Sequence, residues 1–454
     1  MKPGLLPVIF FLSLIIFTYT TQAQTFTLKQ SHENGIYKSG DMIKISAVFD
    51  KKTDDSLRSE VRKNNELIYI LSQGSVDSLS VKVWKNNDQL FLKSASIPNK
   101  DTSEIFTGVI KGPCSLRIEA TMKGNKQLIG LIVDPDKIKP GTKFPKDLKK
   151  YWNTEKQALT ALQLDVKFGK NESPEFQYVC FDTEINCTGP KPARGYFARP
   201  TKAAAKSLPI VLLVHAAGVK GSWCKSDPKE ALRYAKMGKG AMCFDLNAHG
   251  MLDGQPDEYY NNLEAGELKN YWISGLESME NIYFRGMYLR LIRTLDFLTK
   301  LPEWDGKRII VIGESQGGGQ ALAAAGLDQR VSAVVATVPA MCDWGGTLAG
   351  RKGGWPQPFE QPDDAKKMKS VLPYFDTAHL LKDSKATIVV EIGLVDNTCP
   401  STSVYAAINQ AKGTKIIYPV TYREHTWPTA GQRKNHWDSM VFNPKNDFVE
   451  NYLK

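Results

Sequence analysis

The segment Ile309-Ile310-Val311-Ile312-Gly313-Glu314-Ser315-Gln316-Gly317-Gly318-Gly319-Gln320-Ala321-Leu322 constrains the fold more than any other part of the chain. Its apolar run without polar alternation predicts a strand buried on both faces. The glycines and small residues that follow predict a sharp turn into a helix held close against that strand. A strand buried on both faces needs helices above and below its sheet, which excludes an all-β or all-helical architecture for this half of the chain. Similar apolar runs recur at Ile210-Val211-Leu212-Leu213-Val214, Ala241-Met242-Cys243-Phe244, Val331 to Val338, Ile388-Val389-Val390-Glu391-Ile392 and Lys415-Ile416-Ile417-Tyr418, with helical patterns between them. From about residue 147 onward this predicts a doubly wound, mostly parallel α/β sheet.

Upstream the period changes from helical spacing to strict alternation. Met42-Ile43-Lys44-Ile45-Ser46-Ala47-Val48-Phe49, Leu67-Ile68-Tyr69-Ile70, Leu79-Ser80-Val81-Lys82-Val83-Trp84 and Leu116-Arg117-Ile118-Glu119-Ala120 are short and rich in β-formers. Gly40, Asn64-Asn65, Gly74, Asn86-Asn87, Gly112-Pro113 and Gly124-Asn125 separate such runs. Residues 24–135 therefore predict an immunoglobulin-like β-sandwich of six or seven strands. Pro135, Pro140-Gly141 and Pro145 predict a stiff linker over residues 136–146, with the α/β domain over residues 147–454. Two domains also follow from the length of 454 residues, since a single core stops growing at about 250 to 300.

The first residues stand apart from both domains. Met1 and Lys2 lead into the apolar run Leu5 to Phe17 and then the small and polar Thr18-Tyr19-Thr20-Thr21-Gln22-Ala23. That layout predicts a signal peptide over residues 1–23, cleaved after Ala23, and a periplasmic or secreted protein. The run is shorter than the roughly 20 residues a bilayer span requires, so a stable membrane anchor is not expected. The net charge is +11, but Lys and Arg are scattered along the chain. This predicts solubility or attraction to acidic glycans, and no nucleic-acid groove. Seven Cys are too few for a disulfide scaffold, although Cys180 and Cys187 could close a short loop. Without a Cys-X-X-Cys or His-Glu-X-X-His pattern, no metal is expected.

Gly313-Glu314-Ser315-Gln316-Gly317 has the strand-turn-helix context of a nucleophile elbow, with Ser315 held above the strand end. A hydroxyl needs a base that is itself oriented by a carboxylate. In α/β-hydrolases those partners follow in the order Ser, acid, His, each after a later strand. Asp396 follows the strand at 388–394 and His425 follows the next one, so both are expected to join Ser315. The oxyanion donors are expected to be the backbone N–H groups of Gln316 and of Ala217, in the loop His215-Ala216-Ala217-Gly218. His215 is expected to be a hydrogen-bonded turn residue. Trp344, Trp427 and His249 are candidate substrate contacts, because aromatics near the site can stack on sugar rings. Residues 252–280 have the length and polar-aromatic mixture of a lid or an oligomer contact.

Across most of residues 147–454 the chain resembles the acetyl xylan esterase and cephalosporin C deacetylase family, carbohydrate esterase family seven. The resemblance rests on Gly313 to Gly318, Asn281-Ile282-Tyr283-Phe284-Arg285-Gly286-Met287-Tyr288, Pro339-Ala340-Met341-Cys342-Asp343 and Tyr374-Phe375-Asp376. It rests most on Gly393-Leu394-Val395-Asp396-Asn397-Thr398-Cys399-Pro400-Ser401-Thr402. It implies a Ser315, Asp396 and His425 triad that hydrolyses acetyl esters on sugars, an acetylated carbohydrate as partner, no cofactor, and a homo-oligomer. The chain departs from the family's pattern at Asn247-Ala248-His249-Gly250, where Arg-Gly-Gln is usual. It departs again at Glu424-His425-Thr426, where His-Glu is usual, and at Ala217, where the oxyanion loop usually has Tyr. Two rival readings use the same residues. One is a serine peptidase of the oligopeptidase type, which also joins a β-rich domain to this fold. The other is a non-catalytic glycan-binding protein with the sandwich as its reader.

Overall fold

The structure is a computed structural model that describes residues 26–49, 78–86, 88–96, 102–360, 365–428 and 431–454. The expected signal peptide over residues 1–23 and the expected strand at 67–70 lie outside the described residues.

The N-terminal strands are β1 (Phe26–Gln30), β2 (Ile36–Tyr37), β3 (Met42–Phe49), β4 (Ser78–Lys85), β5 (Asp88–Ser96), β6 (Thr102–Val109), β7 (Cys114–Met122) and β8 (Asn125–Val133). They form two sheets, β1-β3-β6 and β2-β8-β7-β4-β5. Alternation in β7 buries Cys114, Leu116, Ile118, Ala120 and Met122 on one face. Those side chains meet Ile43, Ile45 and Ala47 of β3 across a single apolar core. Each fully buried Leu or Ile contributes roughly 1.5–3 kcal/mol to this packing.

The remaining strands are β9 (Val166–Asn171), β10 (Tyr178–Ile185), β11 (Ala193–Pro200), β12 (Leu208–Val214), β13 (Met242–Leu246), β14 (Trp304–Glu314), β15 (Ala333–Thr337), β16 (Thr387–Gly393) and β17 (Lys415–Val420). They make one sheet in the order β17-β16-β15-β14-β12-β13-β11-β10-β9. The pairs from β13 to β17 are parallel, and β9, β10 and β11 add an antiparallel edge. The sequence reading does not anticipate that edge, because these strands mix charged with apolar residues. β9 is almost wholly exposed, and its Lys167 and Lys170 discourage further pairing at the sheet margin.

Helices cover both faces, as the apolar strands require. Tyr283–Leu298 and Gln316–Leu327 pack into the main core, while Pro228–Ala235 and Asn443–Tyr452 close the opposite face through Ala231, Leu232 and Val449. Ser315 follows the C-terminal end of β14, and the loops after β16 and β17 leave the same edge of the sheet. This neighbouring placement is what lets residues more than a hundred positions apart meet.

The segment expected to be a stiff linker is packed against the α/β region. Ile138 is buried in the main core, Gly141 N–H donates to Asp343 Oδ1 at 2.6 Å, and Thr142 hydrogen-bonds His379 at 2.8 Å. Residues 252–280 are likewise anchored, since Tyr260, Leu268, Tyr271 and Leu276 are buried in that core. All seven cysteines are free thiols, so the Cys180–Cys187 bridge that the sequence allows is not formed. No helix among the described residues is long and apolar enough to cross a membrane.

Candidate active site

Ser315 occupies the turn between β14 and the helix Gln316–Leu327 with φ 53° and ψ −118°. A non-glycine residue in this region is strained, and surrounding contacts must hold it there. Gly313 and Gly317 allow the turn to close, because a Cβ at 313 would lie 2.4 Å from the Gly317 carbonyl carbon and one at 317 would lie 2.3 Å from Val214 O. Ser315 N–H donates to Thr337 O, and Ala340 N–H donates to Ser315 O, which ties the strained residue to the next strand and loop.

The structure brings Ser315, His425 and Asp396 together in one hydrogen-bonded line. His425 Nε2 lies 2.9 Å from Ser315 Oγ, and His425 Nδ1 lies 2.8 Å from Asp396 Oδ2. Asp396 Oδ1 accepts the backbone N–H groups of Thr398 and Cys399 at 2.8 and 2.9 Å. The acceptor-only carboxylate fixes the Nδ1–H tautomer and leaves Nε2 free to accept the Ser315 proton. Ser315 is 8% exposed, so its hydroxyl works in a largely desolvated setting. Asp396, Cys399 and His425 also bring three potential metal ligands within 4.8 Å of one another. Hydrogen bonds already engage the carboxylate and the imidazole, and burial holds the Cys399 thiol well above its usual range.

The loop after β12 rests against this turn. Among the described residues no acceptor sits on the N–H groups of Ala217 or Gln316, the two expected oxyanion donors. Tyr271 joins the two sides, because its hydroxyl donates to Gln316 Oε1 at 2.6 Å and accepts Gly218 N–H at 3.3 Å. Trp223 Nε1–H donates to Ala217 O at 3.0 Å, and its ring is 65% exposed beside the loop. His215 is a half-buried turn residue paired with the buried Asp245. Burial alone would depress its pKa, but that carboxylate raises it.

Two candidate substrate contacts fall elsewhere. His249 is 2% exposed behind the oxyanion loop, where Nε2–H donates to Gly218 O at 2.7 Å and Nδ1 accepts from the Tyr283 hydroxyl. Burial pushes its pKa down to about 4, so the ring is a neutral prop. Trp344 has no exposed surface; its N–H donates to Trp355 O, and its ring packs on Phe284 at 5.0 Å. An aromatic so deep in the core cannot stack on a sugar. Trp427, in contrast, is 49% exposed two residues after His425.

Behind Ser315 lies a buried charge cluster that the sequence reading misses. Glu391 accepts Trp437 Nε1–H at 2.7 Å and pairs with Lys445, which also donates to Thr337 Oγ1. Arg423 Nε lies 2.9 Å from Glu391 Oε1 without hydrogen-bond geometry, and the guanidinium lies 5.7 and 5.8 Å from the Trp427 and Trp437 rings, which stack on each other at 6.3 Å. Burial raises the carboxyl of Glu314 to about 7, against the opposing pull of Arg423. Glu314, Trp427, Trp437 and Lys445 line a cavity of about 240 Å³ at this place. The one available signal is Glu391 itself, a lone charge inside an otherwise apolar strand, which demands a buried partner.

Residues 132–440 match the family described as acetyl xylan esterase (AXE1). The acetyl esterase Axe7A of Xylanibacter ruminicola is 30% identical over 329 residues, covering 71% of this chain and 73% of that one. Two solved structures share the fold, each across 70% of this chain and 98% of its own. The acetyl xylan esterase from Paenibacillus sp. R4 has a TM-score of 0.55 at 24% identity. Acetyl xylan esterase 1 from Thermoanaerobacterium sp. JW/SL YS485 has a TM-score of 0.57 at 20% identity.

Proposed function

The chain belongs to the acetyl xylan esterase family, and on that premise we propose that it is an exported serine esterase that removes O-acetyl groups from xylan or related oligosaccharides. The observation that carries the mechanism is the line from Ser315 through His425 to Asp396 at the end of β14. The names of the relatives, an acetyl esterase and two acetyl xylan esterases, support the substrate class. Export is inferred from the leader pattern of residues 1–23.

Ser315 Oγ attacks the acetyl carbonyl carbon while His425 Nε2 takes its proton. The carbonyl oxygen becomes an oxyanion that accepts the N–H groups of Gln316 and Ala217. Collapse breaks the ester bond; His425 returns the proton to the departing sugar oxygen, and the acetyl group stays on Ser315. Water then attacks that acetyl-enzyme with His425 as base, which releases acetate and restores the hydroxyl. Asp396 holds the imidazole in the Nδ1–H tautomer and stabilises the imidazolium formed in each half-reaction. Trp223, which donates to Ala217 O, and Trp427, two residues after His425, are both exposed and are assigned as stacking surfaces for sugar rings.

The test is acetate release from acetylated xylan, an acetylated manno-oligosaccharide and 4-nitrophenyl acetate, with Ser315→Ala beside the parent. The reading predicts release by the parent and a loss of about 10⁴-fold or more in the variant. Cleavage of aminoacyl amides without acetate release would favour the peptidase, and glycan binding without turnover would favour the binding protein.

A further inference from the structure

The loops that carry Asp396 and His425 both touch one residue of the N-terminal sandwich. Gly130 of β8 donates its N–H to Thr421 O at 2.7 Å, directly after β17 and four residues before His425. On the other side, a Cβ at residue 130 would lie 2.2 Å from Leu394 O and 2.9 Å from Leu394 Cβ. Leu394 directly follows β16 and stands two residues before Asp396. Gly35, beside β8, presses on the same pair, since its own Cβ would meet Leu394 Cδ1 at 2.7 Å and Thr421 Cγ2 at 2.9 Å.

Neighbouring contacts hold β8 in this place. Ile132, on the same outward face as Gly130, is buried in the core of the large α/β region. Arg433, in the helix that follows the His425 loop, donates to Gln127 Oε1 at 2.7 Å. Side chains alternate along a strand, so Leu128, Gly130 and Ile132 turn away from the sandwich core and against the esterase. A glycine at the centre of that row lets two backbones approach more closely than any side chain permits.

We propose that β8, through Gly130, is a positioning element of the active site, which sets the spacing between the acid loop and the base loop. This rests on the reading of Asp396 and His425 as acid and base. The sandwich then serves the chemistry itself, as a wedge against the two loops. Gly130 touches no reacting atom, and its effect reaches Ser315 through the Asp396–His425 hydrogen bond.

The experiment is Gly130→Ala in the full chain, assayed on 4-nitrophenyl acetate. Displacement of a catalytic group by an ångström costs about 100-fold in rate, so kcat should fall by about that factor while KM stays within about twofold. A slackened carboxylate stabilises the imidazolium less, so the acid limb of kcat/KM should also move to lower pH. Gly108→Ala serves as the control in β6, where a Cβ has 3.5 Å to its nearest neighbour, and should keep the parental rate and pH profile. A folded Gly130→Ala protein with parental kcat, or with the same change as Gly108→Ala, would overturn the proposal. If Gly130→Ala does not fold, Gln127→Ala combined with Arg433→Gln decides. That pair should lower kcat by about tenfold, and parental kcat would overturn the proposal. Activity that survives in Ser315→Ala would instead overturn the underlying reading of the site.

Discussion

Glu314, immediately before Ser315, carries a proton in the folded chain at a pH where an exposed carboxyl has lost it. Burial raises its pKa from the ordinary 4.5 to about 7, although Arg423 opposes the rise. The stability from this group is therefore complete below pH 4.5 and is lost as pH rises through 7. Glu314→Gln keeps the shape and removes the titration. Thermal unfolding should show the variant matching its parent near pH 4.5 and gaining stability over it by about pH 8; a pH-independent difference would contradict the assignment. The same scale separates what could be read from the residues alone. Ser315, Asp396 and His425 announce themselves through their order and their places after strands. His249 and Trp344 do not, because a lone His or Trp looks the same in sequence whether it faces substrate or core. Tyr271 needs the folded chain as well, since its contacts with Gly218 and Gln316 span 53 and 45 positions.

Among the elements, β16 shows how one polar residue organises an apolar strand. Glu391 faces Lys445, Arg423 and the Trp437 N–H, three groups that follow it in sequence by up to 54 positions. Its removal leaves the buried Lys445 without its carboxylate and Arg423 with Glu314 alone, at 3.5 Å. Glu391→Gln should cost about 3–5 kcal/mol in urea unfolding, and a loss below about 1 kcal/mol would show that the cluster relaxes or hydrates. The apolar strands of the parallel sheet were legible because burial on both faces removes polar alternation. The antiparallel edge β9–β11 was not, because charged residues interrupt the apolar ones in all three strands and only β9 is exposed. The anchoring of residues 252–280 was hidden for a related reason: the polar length of the segment is evident in sequence, whereas the burial of Tyr260, Leu268 and Tyr271 is a tertiary property.

At the scale of the whole molecule, the change in period from two to near-continuous apolar runs distinguishes a β-rich N-terminal part from an α/β part. How the two parts meet is not written in any local pattern. Gly130 reads as a β-strand glycine, and only its packing on Leu394 and Thr421 connects it with the catalytic edge. Family membership settles that the molecule is a carbohydrate esterase, and the geometry at the end of β14 supports a covalent route for it. That route has a direct observable in the acetyl group carried by Ser315 between its two half-reactions. Rapid acid quench of the protein during turnover of 4-nitrophenyl acetate, followed by peptide mass spectrometry, should find one acetyl group on the peptide that contains Ser315 and none in Ser315→Ala. Acetate release with no acetyl group on Ser315, or an acetyl group that persists elsewhere in the variant along with full activity, would contradict the serine mechanism.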